Sequence, residues 1–407
     1  MNPYVLTFRS PKEIVDEFKK IGVDWGGVDI MRRKAFLRCF KINRLSSFSA
    51  NILKQEMLSL GGDVAVSRNS LTAKTKETDC LLFGTSSQIL NLCVKLKKQP
   101  FGLSVLSVNL KKALLNFEND RVVLKFRSRK VLFGKKTFIM GVINATPDSF
   151  SGDGLAGVDI ERVSAIAIEM ARYGADIIDI GGESSRPGAK GVSLKEEARR
   201  VLPFVKAIAR STKALISIDT TKAEIAERAL DLGASIVNDI SALRFDKKMA
   251  EVVSRHKAGL VLMHMQGRPM TMQKAPTYKD VVGDIFSFLN DSIKRAEDAG
   301  ISHDSLVIDP GIGFGKTLEQ NLEIIKNLST FKSLGRPVLI GVSRKGFIGR
   351  LLEKNEPSDR GWGTAGAVST AVSNGADILR VHDVREMAQV IKISDSITRR
   401  AYQIKRG

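Results

Sequence analysis

From Thr137 onward one pattern repeats eight times: a short apolar, β-branched run followed by an amphipathic segment. The apolar runs are Phe138–Asn144, Asp176–Gly182, Leu215–Asp219, Ser235–Asp239, Leu260–His264, Leu306–Asp309, Val338–Gly341 and Ile378–His382. The segments after them are Ile160–Tyr173, Leu194–Arg210, Ala223–Leu232, Lys247–His256, Val281–Ala299, Leu318–Leu328, Gly363–Asn374 and Val384–Ile397. Continuous apolar runs suit strands buried on both faces, and the segments between them carry the helical period. Glycines at Gly174, Gly233 and Gly375 stand where such helices would be capped. Eight strand–helix units over about 270 residues are the usual size of a closed parallel barrel. A doubly wound sheet is the rival, but it would carry a glycine-rich phosphate turn after its first strand. No such turn follows Phe138. The expected fold class is therefore α/β: a (β/α)₈ TIM barrel over residues 137–407, preceded by a smaller α/β N-terminal domain over residues 1–136.

The N-terminal stretch reads as strand Tyr4–Phe8, helix Pro11–Lys20, strand Ala35–Ile42, helix Ser47–Leu60, strand Leu81–Phe83 and helix Ser86–Lys98. A hairpin of Val122–Phe126 and Val131–Phe133 leads into the barrel. The net charge of +20 is concentrated in this part: residues 1–136 hold 26 Lys+Arg against 11 Asp+Glu. A basic surface can gather polyanions. No zinc-finger, helix-turn-helix or RNA-binding signature accompanies it, so nucleic acid is not expected as a partner. Three widely spaced cysteines (Cys39, Cys80, Cys93) fit neither a metal site nor a disulfide framework and suit a reducing cytoplasm. No apolar run is long enough to span a bilayer, and the first residues lack the apolar stretch of a secretion signal.

In a closed barrel the C-terminal ends of all strands meet at one mouth, where chemistry collects. Here every strand ends on polar residues: Asn144, Glu183-Ser184-Ser185-Arg186, Asp219, Asn238-Asp239, Met263-His264, Asp309, Ser343-Arg344-Lys345 and Arg380-Val381-His382-Asp383. One such residue usually anchors its own loop; the convergence of eight is what points to a site. Asp219, Asn238 and Asp309 offer acceptors and an amide for the edge of a planar heterocycle. Lys345 can bond to such a ring, and Met263 can pack on its face. Asn144, Arg380 and His382, on the first and last strands, suit a polyanion. Asp309 opens the run DPGIGFGK, in which glycines leave backbone exposed around Phe314.

The chain resembles the dihydropteroate synthase family of the folate pathway over residues 138–400. The matching stretches are MGVINATPDSFS (140–151), DIGGESSRPGA (179–189), SIDT (217–220), NDI (238–240), LMHMQGRPMTMQ (262–273), DPGIGFGK (309–316), GVSRKGFIG (341–349) and RVHDV (380–384). The resemblance implies condensation of 6-hydroxymethyl-7,8-dihydropterin diphosphate with p-aminobenzoate, giving 7,8-dihydropteroate and pyrophosphate. It implies a pterin site of Asp219, Asn238, Met263, Asp309, Gly341 and Lys345. It also implies a diphosphate site of Asn144, Arg380 and His382, with Asn144 holding Mg²⁺. Ser185, Arg186 and Pro187, with Phe314 and Lys345, would form the aminobenzoate pocket; Asp309, Lys345, Arg380 and His382 would be the catalytic set. It further implies a homodimer and sensitivity to sulfonamides, which mimic aminobenzoate.

Four positions depart from the family pattern. Ser185 stands where threonine is usual, Gly346 where serine or a larger residue is common, and Ile312 where phenylalanine is frequent. The first loop reads SGDG rather than SDGG, which leaves Asp153 without an assigned role. A pterin-dependent methyltransferase and a non-catalytic pterin-binding module are the rival readings. Neither needs the anion trio Asn144, Arg380 and His382.

Overall fold

The computed structural model describes residues 1–8, 10–72, 74–127, 129–145, 160–184, 188 and 191–399. Two compact units divide the chain, Met1–Glu118 and Asn119–Gly407. The sequence pattern placed the boundary at residues 136/137; the division at 118/119 puts the hairpin described below with the second unit.

The first unit contains α1 (Pro11–Ile21), α2 (Trp25–Arg32), β1 (Leu37–Ser46), α3 (Ser47–Leu58), β2 (Asp63–Val66), α4 (Arg68–Leu71), β3 (Glu77–Thr85), α5 (Ser86–Leu96) and α6 (Leu103–Glu118). Its sheet has the order β1-β3-β2, with both pairings antiparallel. Alternation along β3 buries Cys80 and Leu82 against Leu53 and Met57 of α3 and Ile89, Leu92 and Leu96 of α5. Thr85 and Gln88 close a capping box at the start of α5. The expected strand at Tyr4–Phe8 does not form: Val5 is 94% exposed and has no ladder. Without an adjacent strand its apolar residues cannot make backbone bonds.

The second unit opens with β4 (Val123–Phe126) and β5 (Arg129–Leu132), an antiparallel hairpin. Eight parallel strands follow: β6 (Phe138–Asn144), β7 (Ile177–Gly181), β8 (Leu215–Asp219), β9 (Ile236–Asp239), β10 (Gly259–Met263), β11 (Leu306–Asp309), β12 (Leu339–Ile340) and β13 (Ile378–Val381). The helices among them are α7 (Ile160–Arg172), α8 (Leu194–Ser211), α9 (Ala223–Asp231), α10 (Met249–His256), α11 (Val281–Asp298), α12 (Leu318–Lys326), α13 (Gly346–Leu352), α14 (Gly361–Ser373) and α15 (Val384–Thr398). The sheet order β11-β10-β9-β8-β7-β6-β13-β12 closes through a parallel bridge between Ile308 and Val338. The barrel is as expected; α13 is an added helix.

Strand alternation sorts the barrel interior into rings. The lowest ring is apolar: Met140, Ile177, Leu215, Ile236, Val261, Val307, Leu339 and Ile378, with Leu124, Phe126 and Phe133 packed beneath it. The hairpin therefore stoppers the barrel at its N-terminal end, which is why it belongs to this unit. Two residues further along each strand, alternation returns an inward position. That second ring is Val142, Asp179, Ser217, Asn238, Met263, Asp309, Gly341 and Arg380. Asn144 and Asp219 stand one step higher. An apolar plug thus carries a polar floor directly above it.

Candidate active site

Above this floor a cavity of about 850 Å³ opens at the strand C-termini. Its walls include Asn144, Asp219, Phe314, Lys345, Arg380 and His382, six of the residues expected from the sequence. Asn238, Met263, Asp309 and Gly341 lie beneath or beside it rather than in the wall. Asn238 is 3% and Asp309 6% exposed. Met263 packs in a small apolar cluster with Met265, Met272 and Phe314. Ser185, Arg186, Pro187 and Asp153 lie outside the described residues.

Arg380 is the electrostatic centre. Its Nε donates to Asp179 Oδ2 at 2.7 Å and its Nη2 to Asp219 Oδ2 at 2.9 Å. Burial alone would lower the guanidinium pKa, but the two carboxylates outweigh it and raise it. Burial pushes Asp219 upward, with Arg380 pulling it back. A buried carboxylate is tolerated here because it is paired. The sequence reading had divided Asp219 and Arg380 between two subsites; the fold joins them.

Asp309 accepts the Gly311 N–H at 2.7 Å, the loop-capping bond expected of an aspartate at a strand end. Burial raises its pKa to about 6, against the pull of the Gly311 N–H and of Lys345, Lys316 and Arg380. Gly311 has a φ of 71°, and a Cβ there would lie 2.0 Å from the His264 carbonyl oxygen, so no other residue fits. Lys345 lies with its Nζ 4.3 Å from the centroid of the Phe314 ring. Burial first, then Arg380, lowers its pKa to about 8.

His382 is pushed down to about 4, by burial and then by Arg380 and Arg344, so its imidazole is neutral at pH 7. The Ser343 hydroxyl accepts the His382 backbone N–H and lies 3.1 Å from Nδ1. That contact fits either ring tautomer, because a hydroxyl can donate to Nδ1 or accept a second hydrogen bond from it. The neutral ring of His382 thus stands in the cavity wall beside the positive Arg380.

Several residues of the site received no role in the sequence reading. Asp179 interrupts the apolar run of β7 and opens the matching stretch 179–189, but neither signal gave it a role. Lys316, only 2% exposed, donates to the carbonyls of Gly311 (2.8 Å) and Phe314 (2.9 Å) and lies 3.0 Å from His264 Nδ1. It staples the Asp309–Lys316 loop from inside. Glu183, in the cavity wall, pairs with Lys222, which also pairs with the buried Glu197. Thr220 donates to that same Glu197 at 2.6 Å. Gly346, where the family pattern is larger, faces open space, and Arg350 one turn further along α13 lines the cavity.

Among the described residues no group of three or more His, Cys, Asp or Glu could hold a metal ion. Asn144 in the cavity wall offers an amide oxygen, while Asp179 and Asp219 are engaged by Arg380. That donor set fits an ion whose other ligands arrive with a diphosphate, as Mg²⁺ ligands commonly do.

The chain matches the family described as pterin binding enzyme over residues 140–382. It is 45% identical over 267 residues to the dihydropteroate synthase of Synechocystis sp., spanning 66% of this chain and 92% of that one. It is 38% identical over 382 residues to a probable bifunctional folylpolyglutamate synthase/dihydropteroate synthase of Halobacterium salinarum. That match spans 94% of this chain but only 45% of the relative. Among solved structures, the Xanthomonas albilineans dihydropteroate synthase with 4-aminobenzoic acid aligns with a TM-score of 0.63 at 39% identity. It covers 68% of this chain and 98% of that one.

Proposed function

The chain belongs to the pterin-binding enzyme family, and on that premise we infer that it condenses 6-hydroxymethyl-7,8-dihydropterin diphosphate with p-aminobenzoate, releasing pyrophosphate and forming 7,8-dihydropteroate. It is a transferase of folate biosynthesis. The observation that carries this reading is the position of Arg380. It lies between the floor acids and the anion donors, so a ring with N–H donors and a diphosphate can be held side by side.

The chemistry follows from what each group can do. The C–O bond between the pterin methylene and the diphosphate breaks, the electron pair leaves with pyrophosphate, and the ring delocalises the positive charge. Arg380 and, in its Nε2-protonated tautomer, His382 are the donors for the departing oxygens. Mg²⁺, bound with the diphosphate and Asn144, would supply further neutralisation of that charge. Asp309 and the remaining oxygen of Asp219 accept ring N–H groups, and their negative charge offsets the cation. Lys345 completes the ring site, with Asn238, Met263 and Gly341 supporting its floor. The aminobenzoate nitrogen then attacks the methylene carbon and loses its proton to solvent or pyrophosphate. Phe314 and the stem of Lys345 give the benzene ring an apolar face, and Ser185, Arg186 and Pro187 are proposed for the same pocket. Retention of Asn144, Arg380 and His382 in one wall favours this transfer over methyl transfer or binding alone.

Among the described residues no helix is long and apolar enough to cross a membrane. We place the enzyme in the cytoplasm on the strength of its three free thiols, two of them buried. Trp362, Ile393 and Ile397, exposed on α14 and α15, support pairing with a second copy. The deciding experiment measures pyrophosphate release with and without p-aminobenzoate and identifies dihydropteroate by mass. Release that ignores aminobenzoate, or no release at all, would overturn the assignment.

A further inference from the structure

We propose that Asp179 is a positioning residue that sets the diphosphate arginine and the pterin floor in one register. The proposal rests on the synthase reading above and concerns a residue that does not line the cavity.

Asp179 is 0% exposed, in the middle of the apolar strand β7. Removing a carboxylate from water this completely is costly unless it is paired, and a short strand offers it nothing locally. Its partners come from across the barrel. Oδ2 accepts both from Arg380 Nε on β13, at 2.7 Å, and from Asn238 Nδ2 on β9, at 3.1 Å. One oxygen atom therefore ties together a residue of the diphosphate end and a residue of the pterin floor. Oδ1 has no hydrogen-bond partner among the described residues, and neither has the hydroxyl of Ser217, its register partner on β8. The charge of this carboxylate is thus spent on Arg380 and Asn238.

The geometry gives that bond a consequence beyond packing. Arg380 uses Nε on Asp179 and Nη2 on Asp219, so its plane is fixed by two acids on different strands. With Asp179 neutral, the guanidinium is free to turn and take Asp219 with both arms, the preferred fork geometry for a lone carboxylate. Asp219 would then lose the oxygen that a pterin N–H needs, and Arg380 would turn from the leaving diphosphate. Asn238, released from the same atom, would lose its fixed orientation. Both subsites should weaken together although neither ligand touches Asp179.

The test uses the full chain with Asp179→Asn, which keeps size and removes charge. Calorimetry reads the affinity for the pterin diphosphate and for unphosphorylated 6-hydroxymethylpterin; steady-state kinetics reads kcat. We expect both affinities and kcat to fall by about tenfold or more, on the scale of a lost preorganised contact. Combined with Arg380→Met, the Asn substitution should add almost nothing to the loss of diphosphate affinity, because groups acting as one unit are not additive. Additive losses would mean that Asp179 acts on the fold generally and would overturn the proposal. So would a variant within about twofold of the parent in all three quantities, below the effect of a contact of this kind. If Asp179→Asn does not fold, Arg380→Lys examines the same bond from the other side. It keeps the charge but lacks the Nε donor, and unchanged affinity for both ligands would be equally fatal. A parent enzyme that binds both ligands yet forms no dihydropteroate would instead count against the synthase reading, not against this one.

Discussion

At the scale of single residues, the acid at the end of β11 is the sharpest point of the mechanism. Asp309→Asn keeps the shape but replaces an acceptor with an amide that cannot offset a cation and can mispair with the ring. Turnover should fall by at least about a hundredfold, the loss seen when one preorganised electrostatic contact is removed. A folded variant with near-normal kcat would take Asp309 out of the mechanism. The neighbouring shifts fix a pH window. Asp309, raised to about 6, is an anion only above that pH; Lys345, lowered to about 8, is a cation only below it. Affinity for unphosphorylated hydroxymethylpterin should therefore be greatest between these values and decline on both sides. Calorimetry across pH 5–9 reads this, and Asp309→Asn should shrink the acid limb to the part due to Asp219, which burial raises to about 7, while leaving the alkaline one (the range brackets these shifts and the ordinary values they depart from). A flat profile would show that neither charge matters to the ring. These two residues were legible in the sequence because each ends or follows an apolar run. Asp179 and Ser217 were not, because they stand inside such runs. Only the strand register shows that the inward row which is apolar at Ile177 and Leu215 becomes polar two residues on.

At the scale of elements, the Asp309–Lys316 loop is held by a cation without a carboxylate in contact. Lys316 donates into the Gly311 and Phe314 carbonyls, and burial lowers its pKa to about 7. Lys316→Met would leave those carbonyls without their donor, at about 1–3 kcal/mol for each buried group that finds no water. The expected outcome is a lower Tm and a larger KM for p-aminobenzoate, since Phe314 rides on this loop. The sign of the pH effect follows from the depressed pKa. Between about 7 and the ordinary lysine value of about 10.4, the unfolded chain holds a proton that the folded one has released. Stability contributed by this group therefore rises with pH across that interval. The Tm gap between parent and variant should widen from pH 7 to pH 10, and a constant gap would mean that Lys316 does not titrate there. Element order was readable throughout the barrel because apolar runs and helical periods alternate without interruption. β12 shrank to Leu339–Ile340, and α13 was not anticipated. The reason is local: the stretch after Ile340 is rich in Gly, Ser, Arg and Lys, which carries loop chemistry and helix chemistry alike.

At the scale of the whole molecule, the question is what the barrel needs in order to work. Every group assigned to the chemistry lies at or after Asn144, and the hairpin β4–β5 belongs to the barrel unit. The Halobacterium salinarum match covers 94% of the chain, more than the barrel unit alone can supply, so the first unit is shared with a relative of wider activity. A dense run of positive charge, seven Lys+Arg against one acid over residues 119–136, lies at the stoppered end of the barrel. Strands of up to seven residues put that end roughly 15–25 Å from the mouth, about two to three screening lengths at physiological salt. Steering of the diphosphate substrate from there should be weak. A chain starting at Asn119 keeps that charge and every group assigned to the chemistry, and is expected to fold, turn over at the parental rate and show the same salt dependence of kcat/KM. A chain starting at Thr137 is expected to fail for a physical reason. It loses Leu124, Phe126 and Phe133 from beneath the apolar ring, at roughly 1.5–3 kcal/mol for each large side chain. Together that approaches the roughly 5–15 kcal/mol that holds an ordinary domain folded. Comparing the two truncations by thermal unfolding and by turnover at low and high salt separates the possibilities. If the chain from Asn119 is soluble and folded but inactive at both salts, the first unit completes the active site and the division drawn here is wrong. If the chain from Thr137 is as stable as that from Asn119, the hairpin is a passenger rather than the floor on which the polar ring stands.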